Sequence, residues 1–270
     1  MEHLFHILGP ITLESEVDYI VIPKIIYYCW FGGKEKSNDV NEYIRGWKNV
    51  LPDYRVVEIN EQNFDINKYN YTKEAYENKK FAFVSDVARI EFLYKTGGFY
   101  FDTDIKLLKP LDDFRKYTAV FGFEAPNRIM TAFMGSEAQN DLFEIWLEQY
   151  KKRHFCTSDG VDATTNVEGL TSLLQNKKNL KLDGSTQILN HNVIAFESSF
   201  FSPKDYETGI IRKTEDTVMI HDFKGSWKTQ NQISNEKRRA LLIRIIGIDN
   251  FWRLIKIRDT IKRMFQRKNK

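Results

Sequence analysis

Cysteine is scarce in this chain of 270 residues, which contains only Cys29 and Cys156, far apart in the sequence. Two cysteines cannot build a disulfide framework, so we expect free thiols in a reducing compartment. No apolar run reaches the roughly 18 residues that a membrane-spanning helix needs, so no transmembrane segment is predicted. Near the amino terminus, Glu2 stands where a secretion signal carries positive charge and Pro10 interrupts the apolar run. We therefore expect no signal peptide.

Apolar and aromatic residues are plentiful, at 42% and 14% of the chain. This composition excludes a disordered chain, and the length suits one sizeable domain with or without an appendage. The net charge is only +3, but it is distributed unevenly. Residues 235–270 hold twelve Lys or Arg and three Asp or Glu, a local charge of +9, which leaves −6 for the rest. The sequence thus combines a mildly acidic body with a strongly basic C-terminal segment.

Segments typical of strands and of helices follow one another along the chain. β-branched and aromatic runs bounded by Gly-Gly or polar clusters predict strands, and apolar residues at helical spacing predict helices. Strands are predicted within 19–33, 54–60, 95–111, 117–125 and 128–136, and helices within 40–52, 72–98 and 138–153. This alternation favours an α/β fold, in which ligands bind at the carboxyl ends of the strands.

Two aspartates, Asp102 and Asp104, interrupt the apolar stretch KTGGFYFDTDIKLLKPL at residues 95–111. On a strand both carboxylates project from the same face, where they repel each other. Protonation of one of them, or a cation placed between them, relieves this repulsion. Mg²⁺ and Mn²⁺ take oxygen ligands and share their coordination with substrate phosphates. The pair therefore indicates a metal–diphosphate site, with two solvated aspartates in a turn as the alternative.

Three other residues upstream of this pair have both a structural and a functional interpretation. Asp86 and Arg89 are three residues apart and share one face of a predicted helix. They form either a buried ion pair or a site in which Asp86 accepts hydrogen bonds from ribose hydroxyls and Arg89 faces phosphate or sugar oxygens. Trp30, just before Gly32-Gly33, is either a core residue or a stacking platform for a nucleotide base.

Four sequence blocks together carry a family resemblance. IPKIIYYCWFGG, GWKNVLPDY, FVSDVARIEFLYKTGGFYFDTDIKLLKPL and MIHDFKGSW resemble glycosyltransferase family 32, which includes capsular polysaccharide enzymes and yeast-type α-mannosyltransferases. They are also similar to the glucosyltransferase domain of the large clostridial toxins. The resemblance covers residues 21–112 and returns at 218–228. S-D-x-x-R followed by G-G-x-Y-x-D-x-D is far more specific than D-x-D alone.

The resemblance implies a GT-A fold, the α/β fold of nucleotide-diphospho-sugar transferases, with a mixed, mostly parallel central sheet flanked by helices. It also implies a Mn²⁺ or Mg²⁺ cofactor, a sugar-nucleotide donor and retention of the anomeric configuration. The metal ligands that it implies are Asp102, Asp104 and His221. The donor-binding residues that it implies are Tyr28, Trp30, Asp86, Arg89, Asp102, Thr103, Gly225, Ser226 and Trp227. The catalytic residues that it implies are Asp104, Arg89 and Trp227.

The chemistry of such a reaction suits these residues. The leaving nucleoside diphosphate develops negative charge as the glycosidic bond breaks. A metal held by Asp104 neutralises that charge, and so does a hydrogen bond from Ser226 or Trp227 on a loop that closes over the diphosphate. The closed loop also excludes water and thereby favours transfer over hydrolysis. An ordinary histidine at His221 and a core tryptophan at Trp227 are the structural alternatives.

One segment, residues 160–172, departs from the resemblance, because it lacks the proline of a Gly-Pro turn that relatives often carry there. In relatives this segment shapes the sugar pocket, so the identity of the donor sugar stays open. No residue is identified as a nucleophile. Asp162, Asn166 and Glu168 are polar candidates near the acceptor.

Residues 235–270 interleave basic and apolar side chains at roughly helical intervals, interrupted near Gly247. One interpretation is a pair of helices packed on the domain with a solvated basic face. Another is a helix that lies in the plane of a membrane, with Lys and Arg over anionic lipids. The acidic body and the lack of a nucleic-acid motif count against a nucleic-acid partner. We predict a catalytic domain at 1–234 and a membrane-contacting segment at 235–270.

The sequence therefore predicts a metal-dependent retaining hexosyltransferase that moves a glucose- or galactose-type hexose from a UDP-sugar to an oligosaccharide. The predicted acceptor is lipid-linked or part of a surface polysaccharide such as a capsule. The predicted location is the cytoplasmic face of the cell membrane. The alternatives are a toxin-like protein glucosyltransferase, a metal-dependent sugar-nucleotide hydrolase and a non-catalytic peripheral membrane module.

Overall fold

The chain is described by a computed structural model that covers residues 22–158, 160–162, 164–225, 230–248, 250–251 and 253–258. Its strands are β1 Ile25–Cys29, β2 Arg55–Ile59, β3 Gly98–Phe101, β4 Ile105–Leu107, β5 Ala119–Ala125, β6 Arg128–Ile129, β7 Phe133–Ser136, β8 Cys156–Thr157, β9 Gly160–Val161, β10 Gln187–Leu189, β11 Val193–Phe196 and β12 Met219–His221. Its helices are α1 Asn38–Val50, α2 Asn70–Glu77, α3 Phe81–Thr96, α4 Asp141–Tyr150, α5 Asn166–Lys178, α6 Ser198–Phe201 and α7 Gln230–Ile246. The strands and helices predicted between residues 19 and 153 have counterparts here, except that the one strand predicted within 95–111 is two short strands, β3 and β4.

A sheet of eight strands forms the centre of the fold, in the order β10-β11-β5-β7-β3-β1-β2, with β6 paired to β5. Three pairs are parallel, β1 with β2, β1 with β3 and β5 with β11. Four are antiparallel, β3 with β7, β5 with β7, β5 with β6 and β10 with β11. The predicted mixed sheet flanked by helices is confirmed, but among the described strands parallel pairs are not the majority. Short connections join β5, β6 and β7 and allow antiparallel pairing, whereas parallel pairs need long crossovers.

Both faces of the sheet are covered by helices. Tyr100 packs with α3 and α4 on one face, whereas Phe99 and Phe101 pack with α1 on the other. Burial on both faces explains why the central strands are almost wholly apolar in sequence. Polar side chains therefore collect where these strands end.

Helix α1 ties one face of the sheet to the segment that carries the aspartate pair. It begins after Ser37, whose hydroxyl accepts a hydrogen bond from the Val40 N–H (3.4 Å). Val40, Ile44 and Trp47 are buried at helical spacing. The Trp47 Nε1–H donates to the carbonyl of Ile105 (2.7 Å), the first residue of β4. This bond attaches β4 to the core of the domain.

A second sheet pairs β4 with β12 in antiparallel register. The register sets His221 opposite Ile105 and Met219 opposite Leu107. The last residue of β12 is therefore adjacent to the turn that contains the aspartate pair. Two segments far apart in the sequence meet here at the edge of the large sheet.

The C-terminal residues that the structure describes are largely helical. Helix α7 spans the predicted domain boundary between residues 234 and 235, so that division stays a prediction. Ile243 and Phe251 are buried. Exposed apolar side chains in the same region are Leu241, Leu242, Ile245, Leu254 and Ile257. Within the described residues, helices long and apolar enough to cross a membrane are absent.

Candidate active site

The Asp-Thr-Asp triplet lies in a tight turn between β3 and β4, at the carboxyl end of β3. The Asp102 N–H donates to the Ala132 carbonyl (2.8 Å), and the Ile105 N–H donates to the Asp102 carbonyl (3.2 Å). The expectation of one continuous strand through both aspartates is therefore wrong. The strand ends at Phe101 because the chain turns to pair with β12 instead of continuing along the large sheet. Thr103, a predicted donor-binding residue, lies in the middle of this turn.

The turn brings together the three residues predicted as metal ligands. One ligand atom from each of Asp102, Asp104 and His221 lies within 4.8 Å of the other two. The Nε2 atom of His221 is 3.3 Å from Oδ1 of Asp104. Side chains from β12 and from the turn thus converge on one point, as the sequence predicted.

Asp104 is held in its charged form despite being buried. Burial raises the pKa of its carboxyl, but contact with His221 and backbone N–H groups outweighs this effect and holds the pKa below its ordinary value. The Lys224 N–H donates to Oδ2 of Asp104 (2.7 Å), and the N–H of Gly225 also faces it. Burial lowers the pKa of His221, but contact with Asp104 raises it by more, so the pKa of His221 lies above its ordinary value. Asp104 therefore carries the negative charge that a bound cation needs.

The donor set fits a divalent cation. Carboxylate oxygens are the ligands that Mg²⁺ and Mn²⁺ prefer, and an imidazole nitrogen is a common ligand of transition metals. The Nδ1 atom of His221 is buried without a hydrogen-bond partner in the described part of the chain. A buried imidazole nitrogen without a partner calls for an explanation such as a ligand, and the other ring nitrogen, Nε2, is the one that faces Asp104.

Arg89 on α3 links the metal cluster to Asp86. Its guanidinium lies 3.1 Å from Asp86 and 3.3 Å from Asp102, and it donates to the Thr131 carbonyl (2.9 Å). The Arg89 side chain is only 7% exposed, so these contacts use most of its donors. The Tyr100 hydroxyl donates to the same Asp102 oxygen (2.8 Å). Arg89 therefore orients both acids, and the buried ion pair weighed from the sequence is present.

Asp86 is a buried acid whose pKa is raised, in contrast to that of Asp104. Burial raises the pKa of Asp86 to about 6, against the opposing effect of Arg89. Asn166 donates to the backbone carbonyl of Asp86 (2.9 Å) and accepts a hydrogen bond from Tyr150. A buried carboxyl that titrates near neutrality is well suited to accept hydrogen bonds from ligand hydroxyls.

Trp30 lines a cavity of about 480 Å³ at the carboxyl ends of β1 and β2. Its indole N–H donates to the Lys34 carbonyl (2.6 Å), and the Lys36 ammonium lies 5.8 Å from the centre of its ring. Tyr28, by contrast, is 6% exposed, and its hydroxyl donates to Glu58 (2.7 Å) at the cavity wall. Trp30 and Glu58 thus line the cavity, whereas Tyr28 lies behind Glu58.

For several predicted residues the structure gives a different answer or none. Ser226 and Trp227 lie outside the described residues. Asp162 forms an ion pair with Arg153 (2.7 Å), and Asn166 is 3% exposed at the start of α5. Asp162 is thus paired with Arg153, and the Asn166 side chain joins the start of α5 to α3 and α4. Their predicted role near the acceptor stays a prediction.

One acid at this edge of the sheet escaped the sequence reasoning. Glu124 lies near the end of β5, and burial raises the pKa of its carboxyl. Its charge and that of His221 affect each other's pKa. The sequence signal for Glu124 was an acid directly after the apolar run VFGF. The sequence did not show that the strand carrying it ends at the same edge of the sheet as β3.

Residues 37–121 match a protein-family model described as "Glycosyltransferase sugar-binding region containing DXD motif". The glucan organizing enzyme 1 of Cryptococcus neoformans var. grubii serotype A is 30% identical to this chain over 159 residues. The aligned part covers 55% of this chain and 38% of that enzyme. This chain thus corresponds to well under half the length of that relative.

Solved structures of glycosyltransferases show a weaker likeness. The PaToxG glycosyltransferase is 17% identical, with a TM-score of 0.44 over 58% of this chain and 69% of that one. The galactosyltransferase LgtC, in complex with donor and acceptor sugar analogues, is 13% identical, with a TM-score of 0.41 over 81% of this chain and 94% of that one. The family match and the curated relative confirm the resemblance that the sequence predicted.

Proposed function

We propose that this chain, a transferase with a DXD-containing sugar-binding region, moves a hexose from a nucleotide-sugar donor in a metal-dependent reaction. The observation that carries this proposal is the convergence of Asp102, Asp104 and His221 at the carboxyl edge of the sheet. When bound there, a divalent ion supplies positive charge to the leaving diphosphate. The imidazole in the donor set favours Mn²⁺ over Mg²⁺, because Mg²⁺ prefers oxygen ligands only.

Different residues of the protein bind different parts of the donor. Trp30 stacks on the base in the cavity beside β1 and β2, and Asp102 and Asp104 face the diphosphate. Asp86 accepts hydrogen bonds from hydroxyls of the sugar. The buried ion pairs of Arg89 hold both Asp86 and Asp102 in place, so that little reorganisation is needed when the donor binds.

The finer identity of the substrates follows the sequence argument. We infer a UDP-sugar of the glucose or galactose type and a glycan acceptor. The reaction that we propose retains the anomeric configuration of the hexose. A lipid-linked acceptor is supported by the C-terminal helices, where exposed apolar side chains alternate with exposed basic ones such as Arg238 and Arg244. A helix of this kind binds at the surface of an anionic membrane.

Thermal denaturation with Mn²⁺ and a panel of nucleotide sugars tests the proposal. UDP-glucose or UDP-galactose is expected to stabilise the protein only when Mn²⁺ is present. At a donor concentration of about a hundred times Kd, the free energy of unfolding is expected to rise by about 2.7 kcal/mol. The matching donor is then incubated with free oligosaccharides to detect transfer. Failure of every donor to stabilise the protein or to be turned over contradicts the proposal. Equal donor turnover with and without acceptor identifies a hydrolase instead.

A further inference from the structure

Glu124 is an acidic residue at the candidate active site to which the donor-binding scheme assigns no task. It is half-buried near the end of β5, at the same edge of the sheet as the carboxyl end of β3. It lies between Phe123 and Ala125, where the register of β5 with β6 shifts, whereas Phe121 and Phe123 pack against α3 and α4. Val120 of the same strand and Met219 of β12 belong to one apolar cluster. β5 therefore packs near β12, the strand that ends at His221.

The carboxylate of Glu124 has neither a hydrogen bond nor an ion pair among the interactions found within the described residues. Arg128 and His221 affect its pKa through their charges, but neither lies at ion-pair distance. Removing a carboxylate from water without a partner is unfavourable, so most such groups in folded proteins are hydrogen-bonded. A side chain that lacks partners at the edge of a site is available to a ligand.

The order of the strands indicates which part of the substrate Glu124 meets. The cavity beside Trp30 is at β1 and β2, the metal cluster is at the end of β3, and β7 and then β5 follow. A donor laid along this edge, with its base at β1 and its diphosphate at β3, directs its hexose towards β7. The acceptor, which receives the hexose, then lies at the next strand along the edge, β5.

We propose that Glu124 binds the acceptor, by accepting a hydrogen bond from a hydroxyl of the acceptor sugar. This inference rests on the proposed function and adds to it the side of the site from which the acceptor enters. The carboxylate orients the hydroxyl towards the hexose and thereby selects polyhydroxylated acceptors over water. Hydrogen bonds from sugar hydroxyls satisfy the carboxylate that the protein leaves unpaired.

The test compares Glu124→Gln and Glu124→Ala with the wild-type chain in the presence of Mn²⁺. The donors are UDP-glucose and UDP-galactose, and the acceptor probes are p-nitrophenyl glycosides of glucose, galactose and mannose. We expect the acceptor KM to rise about tenfold or more in both variants, because a charged hydrogen bond is lost. The donor KM and the rate of donor hydrolysis in water are expected to stay within about twofold of the wild type.

Glu137→Gln is the matched control, because burial also raises the pKa of Glu137 but it lies just after β7, at the opposite edge of the sheet. Its acceptor KM is expected to equal that of the wild type. The Tm of Glu124→Gln is expected to equal or exceed the wild-type Tm, since a carboxylate without partners does not stabilise the fold, whereas a structural role predicts a lower Tm.

The outcomes separate this inference from the proposed function. A higher donor KM with an unchanged acceptor KM assigns Glu124 to the donor hexose and overturns the inference, as does no change in either KM. Absence of any wild-type turnover of the donors overturns the proposed function, and the acceptor assignment falls with it.

Discussion

At the scale of single residues, Asp104 joins the turn after β3 to β12 and to the residues that follow β12. It contacts His221 of β12 and accepts a hydrogen bond from the Lys224 N–H (2.7 Å), and its carbonyl accepts one from the Asp222 N–H (3.1 Å). These contacts keep its carboxylate charged and aimed at the point where the ligand atoms converge. An ion at this point needs that charge to be present.

We expect Asp104→Asn to lower hexose transfer by about a hundredfold or more, because the cation loses a charged ligand where the leaving group develops its charge. Donor binding that depends on Mn²⁺ is expected to be lost as well. Both effects are measured by steady-state transfer and by titration of UDP-glucose with and without Mn²⁺.

Asp113→Asn is the control for this change, since Asp113 is an exposed aspartate near the same turn in sequence. Its activity is expected to match the wild type. Full activity of Asp104→Asn would falsify the metal–diphosphate interpretation of the aspartate pair.

Arg89 illustrates how one residue serves both stability and function. The sequence left a structural ion pair and a ligand contact as alternatives for it. The structure shows that its guanidinium contacts both Asp86 and Asp102. A guanidinium with its fork occupied by two carboxylates fixes their geometry, which is how a buried ion pair contributes to a binding site.

At the scale of elements, helix α3 is anchored on both of its long sides. Arg89 attaches one side to the site, and Glu91 attaches the other to the segment before α2. The Glu91 side chain is 4% exposed, lies 2.8 Å from the Lys68 ammonium and accepts a hydrogen bond from the Tyr69 hydroxyl (2.9 Å). Lys95, one turn later on α3, also contacts it.

These contacts predict a pH-dependent stability. Burial raises the pKa of Glu91, but its hydrogen bonds with Lys68, Lys95 and Tyr69 outweigh burial and hold the pKa below its ordinary 4.5. The folded protein therefore binds fewer protons than the unfolded chain, so the stabilisation is present above pH 4.5 and is lost as the pH falls below it. We expect Glu91→Gln to lower the free energy of unfolding at pH 7 by about 1–3 kcal/mol.

Urea denaturation at pH 7 and at acidic pH measures this effect. The difference between wild type and Glu91→Gln is expected to shrink as the pH falls. Glu42→Gln is the control, because Glu42 and its partner Arg45 are each about 70% exposed and 3.9 Å apart, and such pairs contribute less than about 1 kcal/mol. A difference for Glu91→Gln that stays constant with pH contradicts the assignment.

At the scale of the whole molecule, charge and exposed apolar surface coincide in the C-terminal helices. Helix α7 buries Ile243 on one side and exposes Leu241, Leu242 and Ile245 on the other. A helix that is apolar on two sides buries one against its own domain and leaves the second for another partner. The basic residues of the segment make an anionic membrane the partner that we expect.

We expect replacement of Leu241, Leu242 and Ile245 together by serine to reduce binding to vesicles of phosphatidylcholine and phosphatidylglycerol. Loss of inserted apolar area weakens the attachment, and the remaining electrostatic attraction is screened by salt. Co-sedimentation at low and high salt measures both contributions.

Ile188→Ser on β10 is the matched control, because Ile188 and Ile245 are both 71% exposed. Vesicle binding of this control is expected to equal that of the wild type. Binding that the triple replacement leaves unchanged shows that the exposed side of α7 does not contact lipid.

Local sequence was sufficient for most of the elements and for the chemistry of the aspartate pair. Apolar periodicity, glycine and proline act over a few residues, so the strands and helices between residues 19 and 153 were predicted in the right places. The combination of S-D-x-x-R with D-x-D likewise indicated a glycosyltransferase, a resemblance confirmed by the family match and the curated relative.

Long-range pairing set the remaining features. The insertion of β7 between β3 and β5 makes the sheet less parallel than predicted, and the pairing of β4 with β12 turns the chain after Phe101 and brings His221 to the aspartates. Glu124 reaches the same edge through the order of strands in the sheet. These contacts depend on how distant segments bury their apolar faces together, and no pattern within a few neighbouring residues encodes that choice.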